Sequence, residues 1–247
     1  MTYSFHSWRV PILQFLDQQP LYKLLDLSAA APTQANAANL SVELSIFKCP
    51  STPNVRLEHI AGFNNAANLP PYNDIGPAAR SDYDAVAGLH RLPPGTTGSN
   101  YDTTPVLKGA WGIPEYDAIR EVRIRLVDAR LRDIADGLSN TILIGEKAGR
   151  PNWYLDGKLL DLPSFPQIPG PGDNEAAWGI SSKIWAMIPS QDDKINEQNS
   201  SGFFSFHNGI ANFAYADGAT KSISESVDQS VLNAVITRSN HDSGTTD

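Results

Sequence analysis

The sequence predicts an α+β fold built around an antiparallel sheet. Helical periodicity is concentrated in the first 44 residues and in one segment close to the end. The strand-like runs are joined by short turns instead of helices, so hairpins take the place of βαβ units. Gly and Pro number 18 each in 247 residues, above the average of about 12% for the pair, which calls for many turns and long loops.

In chain order, residues 8–27 read as helical. Trp8, Ile12, Phe15, Leu16, Tyr22, Leu24 and Leu25 supply the apolar face, and Pro11 and Pro20 suit helix first turns. A second helix is expected from Thr33 to Leu44, and a short strand over Phe47 to Cys49, stopped by Pro50. Residues 60–118 hold seven Gly and seven Pro among Asn and Asp, so regular structure there must be brief. The alternation Val122-Arg123-Ile124-Arg125-Leu126 predicts a half-buried strand with its arginines in water. Asp133 can cap a short turn that Gly137 ends, and Thr141-Ile142-Leu143-Ile144 is a more buried strand. After a second Pro/Gly-rich stretch at 151–176, Trp178, Ile184, Trp185 and Ile188 mark an apolar segment. Phe203 to Phe206 reads as a strand, and His207-Asn208-Gly209 as a turn. Ile210 to Ala216 and Ala219 to Ser224 form a hairpin about a two-residue Asp217-Gly218 turn of type I′. Asp228 caps a helix with the face Val231, Leu232, Val235 and Ile236. One domain over 1–238 is expected, with loop-rich insertions at 60–118 and 151–200 and a frayed tail at 239–247.

The formal net charge is −8, unevenly placed. Residues 1–118 carry 7 basic and 10 acidic groups (−3), 119–150 carry 7 and 5 (+2), and 151–247 carry 5 and 12 (−7). The only basic stretch, Arg120 to Arg132, is interleaved with acids, so no coherent face exists to displace counterions and nucleic acid is excluded as the main partner. No apolar run approaches the roughly 18 residues of a transmembrane helix. The single cysteine, Cys49, allows no intrachain disulfide and reads as a buried thiol.

The familiar catalytic motifs are absent: no G-x-S-x-G, no Walker loop, no H-E-x-x-H and no C-x-x-C. Asp82-Tyr83-Asp84 reads as a solvated acidic turn. Asp136, Asn140 and Glu146 could act as oxygen ligands or an acid/base set, against a plainer reading as a Gly137 cap, an Asn140 turn and a strand. His207 and Asp217 are further ligand or acid/base candidates. A strand of seven residues between them spans about 23 Å at ~3.3 Å per residue, so they sit at opposite ends and any partners come from elsewhere. His207, Asp217 and Glu146 are therefore the catalytic candidates, and Asp136, Glu146 and Asp217 the metal-ligand candidates for a divalent ion such as Ca²⁺. Trp111 and Trp153, in loop-rich stretches, are candidates to stack on a sugar ring, against the commoner role of packing loops on the core.

The run Phe203 to Gly218 closely resembles the C-terminal signature of the planctomycete prepilin-type family, named for its His, nine residues, Asp-Gly pattern. His207, Asn212, Asp217 and Gly218 carry it. Asp136, Gly137, Asn140 and Glu146 match an upstream anchor, as do Ser7 to Tyr22, Phe47 to Ser51, Ala148 to Pro151 and Ile236 to Arg238. That family is catalogued as a domain of unknown function and carries an older solute-binding label. The chain departs from it in lacking the prepilin leader and long apolar helix, and in placing Asn196-Glu197-Gln198-Asn199 where a Cys pair is common.

The resemblance implies a pilin-like head, an N-terminal helix stub packed on an antiparallel sheet with long loop insertions. It implies an exported parent at the cell surface or in the periplasm, anchored by an N-terminal helix this chain lacks, with other pilin-like subunits, cell-surface components or carbohydrate as partners. The expected function is a non-catalytic structural or interaction head. Two alternatives stand beside it, a metal-dependent hydrolase of phosphate, sulfate or glycosidic esters, and a carbohydrate- or solute-binding module.

Overall fold

A computed structural model of the chain describes residues 6–29, 31, 33–53, 76–91, 106–111, 115–117, 122–125, 129–160, 176–180, 187–200 and 202–239. Expectations for Ile184, Trp185 and the tail beyond Ser239 lie outside these residues, as do the side chains of the 122–125 strand. The chain forms two compact units, one of residues 1–82, 149–153 and 159–185, the other of 83–148, 154–158 and 186–247.

The first unit is helical. The expected helix over 8–27 is broken into α1 (Arg9–Ile12), a 3-10 turn at Leu13–Phe15 and α2 (Gln19–Leu24). The break is local: Asp17 sits at φ 56° while Leu16 N and Gln18 N both donate to Leu13 O, ending the first helix before Pro20 begins the next. Helix α3 (Gln34–Leu40) follows. Asn36, fully buried, ties it to the preceding loop, accepting from Asp26 N at 2.8 Å and donating to Asp26 O at 3.1 Å. The core gathers Val10, Leu13, Leu21, Leu40, Phe47 and Trp178, with the Trp178 indole stacked on Phe47 at 6.2 Å and donating to Val42 O at 3.0 Å.

Two expectations are corrected here. Phe47 to Cys49 is not a strand: Ser45–Phe47 is a 3-10 turn, because Phe47 O and Cys49 N are taken by the backbone and side chain of Asp82 instead of a neighbouring strand. Asp82 is itself 1% exposed, not a solvated acid. It accepts from Cys49 N at 2.8 Å and faces Arg80 Nη2 at 3.5 Å. Burial pushes its pKa up, against the pull of the Arg80 guanidinium. Cys49 is buried and in no disulfide, as expected.

The second unit holds the sheet. Strands β1 (Tyr83–Ala85), β2 (Gly88–His90), β3 (Val106–Lys108), β4 (Glu115–Asp117), β5 (Val122–Arg125) and β6 (Ile142–Glu146) come first. Short strands β7 (Tyr154–Leu155) and β8 (Lys158–Leu159) flank the Asp156-Gly157 turn, at φ 47° and 72°. Then come β9 (Ile210–Tyr215), β10 (Thr220–Ser224) and the helix α4 (Gln229–Ile236). The main sheet has the order β1-β6-β9-β10, every pair antiparallel, while β2 pairs with β3 and β4 with β5. This is the α+β class the sequence predicts.

Alternation along β9 buries Ala211, Phe213 and Tyr215 against Leu232, Val235 and Ile236 of α4. Asp228 caps α4 by accepting from Ser230 N at 2.8 Å; the Ser230 hydroxyl first, and that amide second, hold its carboxyl below the usual range. The helix in the sheet's core is thus the C-terminal one, whereas the N-terminal segments contribute to the Trp178 core. Gly145 is required by close approach: a Cβ there would lie 2.5 Å from the Phe203 ring, which itself packs edge-on against Phe213 at 4.8 Å. Phe203 to Phe206, expected as a strand, makes one bridge, Lys147 to Phe204, and its aromatics serve the core.

The hairpin turn also differs from expectation. Gly218 has φ 87°, but Asp217 does not take the left-handed conformation. Gly218 N donates to Tyr215 O and Tyr215 N to Ala219 O, so the loop is the three residues Ala216 to Gly218, a turn followed by one left-handed glycine. The type I′ expectation fails because only one residue needs a positive φ.

Candidate functional site

The sequence-predicted residues of the second unit fall into two groups at opposite ends of β6. At its C-terminal end the β6–β9 ladder stops at the pair Gly145 and Phe213. Beyond it, Glu146 O accepts from Phe204 N at 3.0 Å, and Ala148 N donates to Phe204 O at 2.9 Å. The main chain of β6 has turned away from β9, and the Glu146 side chain takes its place: Oε2 accepts from Asn212 N at 2.6 Å. Asn212 in turn accepts from Ser222 Oγ at 2.7 Å, so Tyr83, Glu146, Asn212 and Ser222 form one cross-strand row on the face away from α4.

Glu146 is completely buried, and His207 Nε2 lies 3.3 Å from its Oε1. A buried carboxylate is costly unless it is paired and hydrogen-bonded. The Asn212 amide satisfies Oε2, whereas Oε1 faces the imidazole without a hydrogen bond among the described residues. His207 is held by its loop: His207 N donates to Ser205 Oγ at 3.0 Å, and Ser205 Oγ donates to Ile210 O at 2.7 Å. Asn196, at φ 64°, accepts from Ser205 N at 2.8 Å and donates to Glu225 Oε2 at 3.1 Å. The sequence signal for this role of Asn196 is the tolerance of Asn for the left-handed region. Asn199, 1% exposed, accepts from Tyr154 N at 2.9 Å and donates to Ala148 O at 3.1 Å.

At the other end, Asp136, Gly137, Asn140, Asp217 and Gly218 build paired turns. Gly137 has φ 101°, Asn140 Nδ2 donates to Asp136 O at 3.1 Å, and Thr141 Oγ1 to Gly137 O at 3.1 Å. Asp217 N donates to Leu138 O at 3.2 Å, while its carboxylate accepts from Ala219 N at 2.9 Å. Four residue steps along β6, about 13 Å at ~3.3 Å each, separate this end from Glu146. Asp136 and Asp217 are thus not brought to Glu146, nor His207 to Asp217, and the Glu146 and Asp217 carboxylates each accept from a main-chain amide.

Trp111 donates to Leu143 O at 2.8 Å and so pins its loop to β6. Trp153 belongs to the first unit and is half-buried. On the outer face of the sheet a cleft of about 410 Å³ is lined by Tyr83, Ile144, Asn212, Ala214, Thr220, Lys221 and Ser222. Among the described residues no helix is long and apolar enough to cross a membrane.

A family profile described as a protein of unknown function, DUF1559, matches residues 1–230. The chain belongs to the DUF1559 family. The match takes in both groups of turn residues, from Asp136 to Glu146 and from His207 to Gly218. No curated protein and no solved structure matches the chain. Membership in DUF1559 carries no assigned activity, so function rests on the site.

Proposed function

We propose that this DUF1559 chain is the non-catalytic structural head of an exported, prepilin-like surface protein of the planctomycete type, working through contacts with other pilin-like subunits or cell-surface components. The observation that carries the reading is the investment of the signature residues in backbone. Glu146 stands in for its own carbonyl at Asn212 N, His207 faces Glu146, Asn140 braces the turn at Asp136, and Asp217-Gly218 closes the hairpin. A catalytic acid or base is held where a reacting group can reach it; Glu146 is 0% exposed and committed to a main-chain amide.

The test is a pair of measurements on the parent and on His207→Ala. A lower melting temperature in the variant, with no turnover of chromogenic phosphate, sulfate or glycoside esters by either protein, supports the head. Turnover by the parent that the variant loses at unchanged stability refutes it. Elemental analysis of the purified protein, and the effect of a chelator on any turnover, decide the metal-dependent alternative.

One observation favours a second reading, a carbohydrate- or solute-binding module. The outer cleft is lined by Tyr83 together with Asn212, Thr220 and Ser222, an aromatic residue among amide- and hydroxyl-bearing ones, a mixture suited to hydroxyl-rich ligands. Retention on immobilised polysaccharide that Tyr83→Ala abolishes would establish it.

A further inference from the structure

Asn208-Gly209 is the only Asn-Gly pair in the sequence. It lies in the turn between Phe206 and β9, directly after His207, and does not line the cleft. Asn208 is exposed. Among the described residues neither its carboxamide nor Gly209 N has a hydrogen-bond partner. Gly209 has φ 70°, and nothing lies within 4 Å of where its Cβ would stand. An electrophilic carboxamide carbon on an exposed side chain and the next residue's amide nitrogen are thus both unengaged among the described residues, and the glycine ahead of β9 is uncrowded.

We propose that Asn208-Gly209 is a self-modification site, where Asn208 converts through a succinimide to aspartate and isoaspartate. Gly209 N loses its proton to solvent base and attacks Asn208 Cγ. The new N–Cγ bond closes a five-membered ring, and the side-chain nitrogen leaves as ammonia. One water then opens the ring. Attack at Cγ gives aspartate; attack at the main-chain carbonyl carbon gives isoaspartate, with the chain now running through Cγ. No electrons change hands, and only water is consumed.

The rest of the unit shows what protection looks like. At Asp217-Gly218, the same ring closure is opposed because Gly218 N donates to Tyr215 O and Asp217 Oδ1 accepts from Ala219 N. The Asn199 carboxamide is buried and bonded on both atoms. At Asn208 neither restraint exists. The product is not inert: a carboxylate arrives next to His207, whose imidazole faces Glu146 at 3.3 Å. In the isoaspartyl form the turn must also absorb an extra backbone carbon while Glu225 N holds Gly209 O at 2.9 Å.

The experiment ages the full chain at mildly alkaline pH, folded and in urea, and follows each Asn by peptide mass and by isoaspartyl methyltransferase labelling. The expected result is an amide-to-acid mass gain and methyl labelling at residue 208 in the folded protein. Its rate should be less than about tenfold below that of the unfolded chain, with Asn199 converting only in urea. Asn208→Gln should abolish the labelled peptide, which assigns the signal. A folded chain that keeps the Asn208 amide about tenfold longer than the unfolded one, or longer still, overturns the proposal.

Discussion

Replacing Glu146 by Ala should destabilise the second unit by more than any change to a surface carboxylate. The structure sets the size. Asn212 N loses an acceptor at 2.6 Å, and an amide left without a partner costs about 1–3 kcal/mol. The side chain is 0% exposed, and deleting its buried methylene adds about 0.8 kcal/mol, with a further cost for the space left by the carboxylate. Against this, the penalty for burying a charge disappears, so the net loss should be about 2–4 kcal/mol. For a chain of this size that is roughly a 4–16 °C fall in melting temperature. Glu146→Gln retains an oxygen for Asn212 N and fills the space, so it should cost clearly less. Urea unfolding of parent, Ala and Gln variants, followed by far-ultraviolet circular dichroism, measures all three. Two outcomes would refute the reasoning: an Ala variant within about 0.5 kcal/mol of the parent, as expected for a surface site, or a Gln variant as unstable as the Ala variant. The second would mean that charge, not the bond to the β9 backbone, is what Glu146 contributes.

Gly145→Ala places a methyl 2.5 Å from the Phe203 ring and should cost about 1–3 kcal/mol by overpacking; double substitution with Phe203→Leu should recover part of it. Gly218→Val forces a β-branched residue to φ 87° and should lower stability by about 1–2 kcal/mol, whereas Gly218→Asn should be nearly neutral; equal melting curves for Val and parent would remove the hairpin assignment. Asp228→Ala removes the cap on Ser230 N and should lower the melting temperature, read by thermal melting. His90 is 3% exposed, and burial lowers its pKa despite the nearby Asp193. Because the unfolded chain binds that proton more readily, stability should fall as pH drops below about 6.5. Asp82 works the other way: its raised pKa means the folded state keeps a proton that the unfolded state releases, so its contribution is lost as pH rises through the carboxylate range above about 4. Urea midpoints of His90→Gln and Asp82→Asn across pH should each flatten the corresponding limb.

The parts of the fold that are legible in the sequence are those whose causes are local. Ile210 to Ser224 alternates about an Asp-Gly pair, and both strands appear almost where the pattern puts them. Asp228 sits two residues before the amide it caps. The illegible parts depend on partners far along the chain. Asp82 reads as a solvated acid because Cys49 N, which donates to its carboxylate, lies 33 residues away. The role of Glu146 at Asn212 N involves a separation of 66. The run Phe203-Phe204-Ser205-Phe206 carries strand-forming residues, yet its rings pack edge-on against Phe213 and stack on Tyr154 and its backbone is largely used by single bonds, so composition alone misassigns it. The single helix expected over 8–27 fails at Asp17, where a left-handed residue ends one helix and Pro20 starts another.

The spacing of the His, nine residues, Asp-Gly pattern has a mechanical origin in this fold. Two residues, Asn208 and Gly209, turn the chain; six, Ile210 to Tyr215, cross the sheet as β9; and Ala216 opens the loop that Gly218 closes. The nine intervening residues are therefore the length of one strand with its two turns. An active site needs its groups to converge, and a spacing set by the width of a sheet drives them apart. His207 consequently faces a residue of the adjacent strand, Glu146, and Asp217 hangs on Leu138 and Ala219 at the far end. The spacing alone then makes a prediction. Inserting two residues within β9 preserves which face each side chain takes but shifts the register of everything beyond the insertion. It should unfold the second unit even though His207, Glu146 and Asp217 are all retained. A folded insertion variant, with parental circular dichroism and melting temperature, would show that the pattern marks something other than the strand.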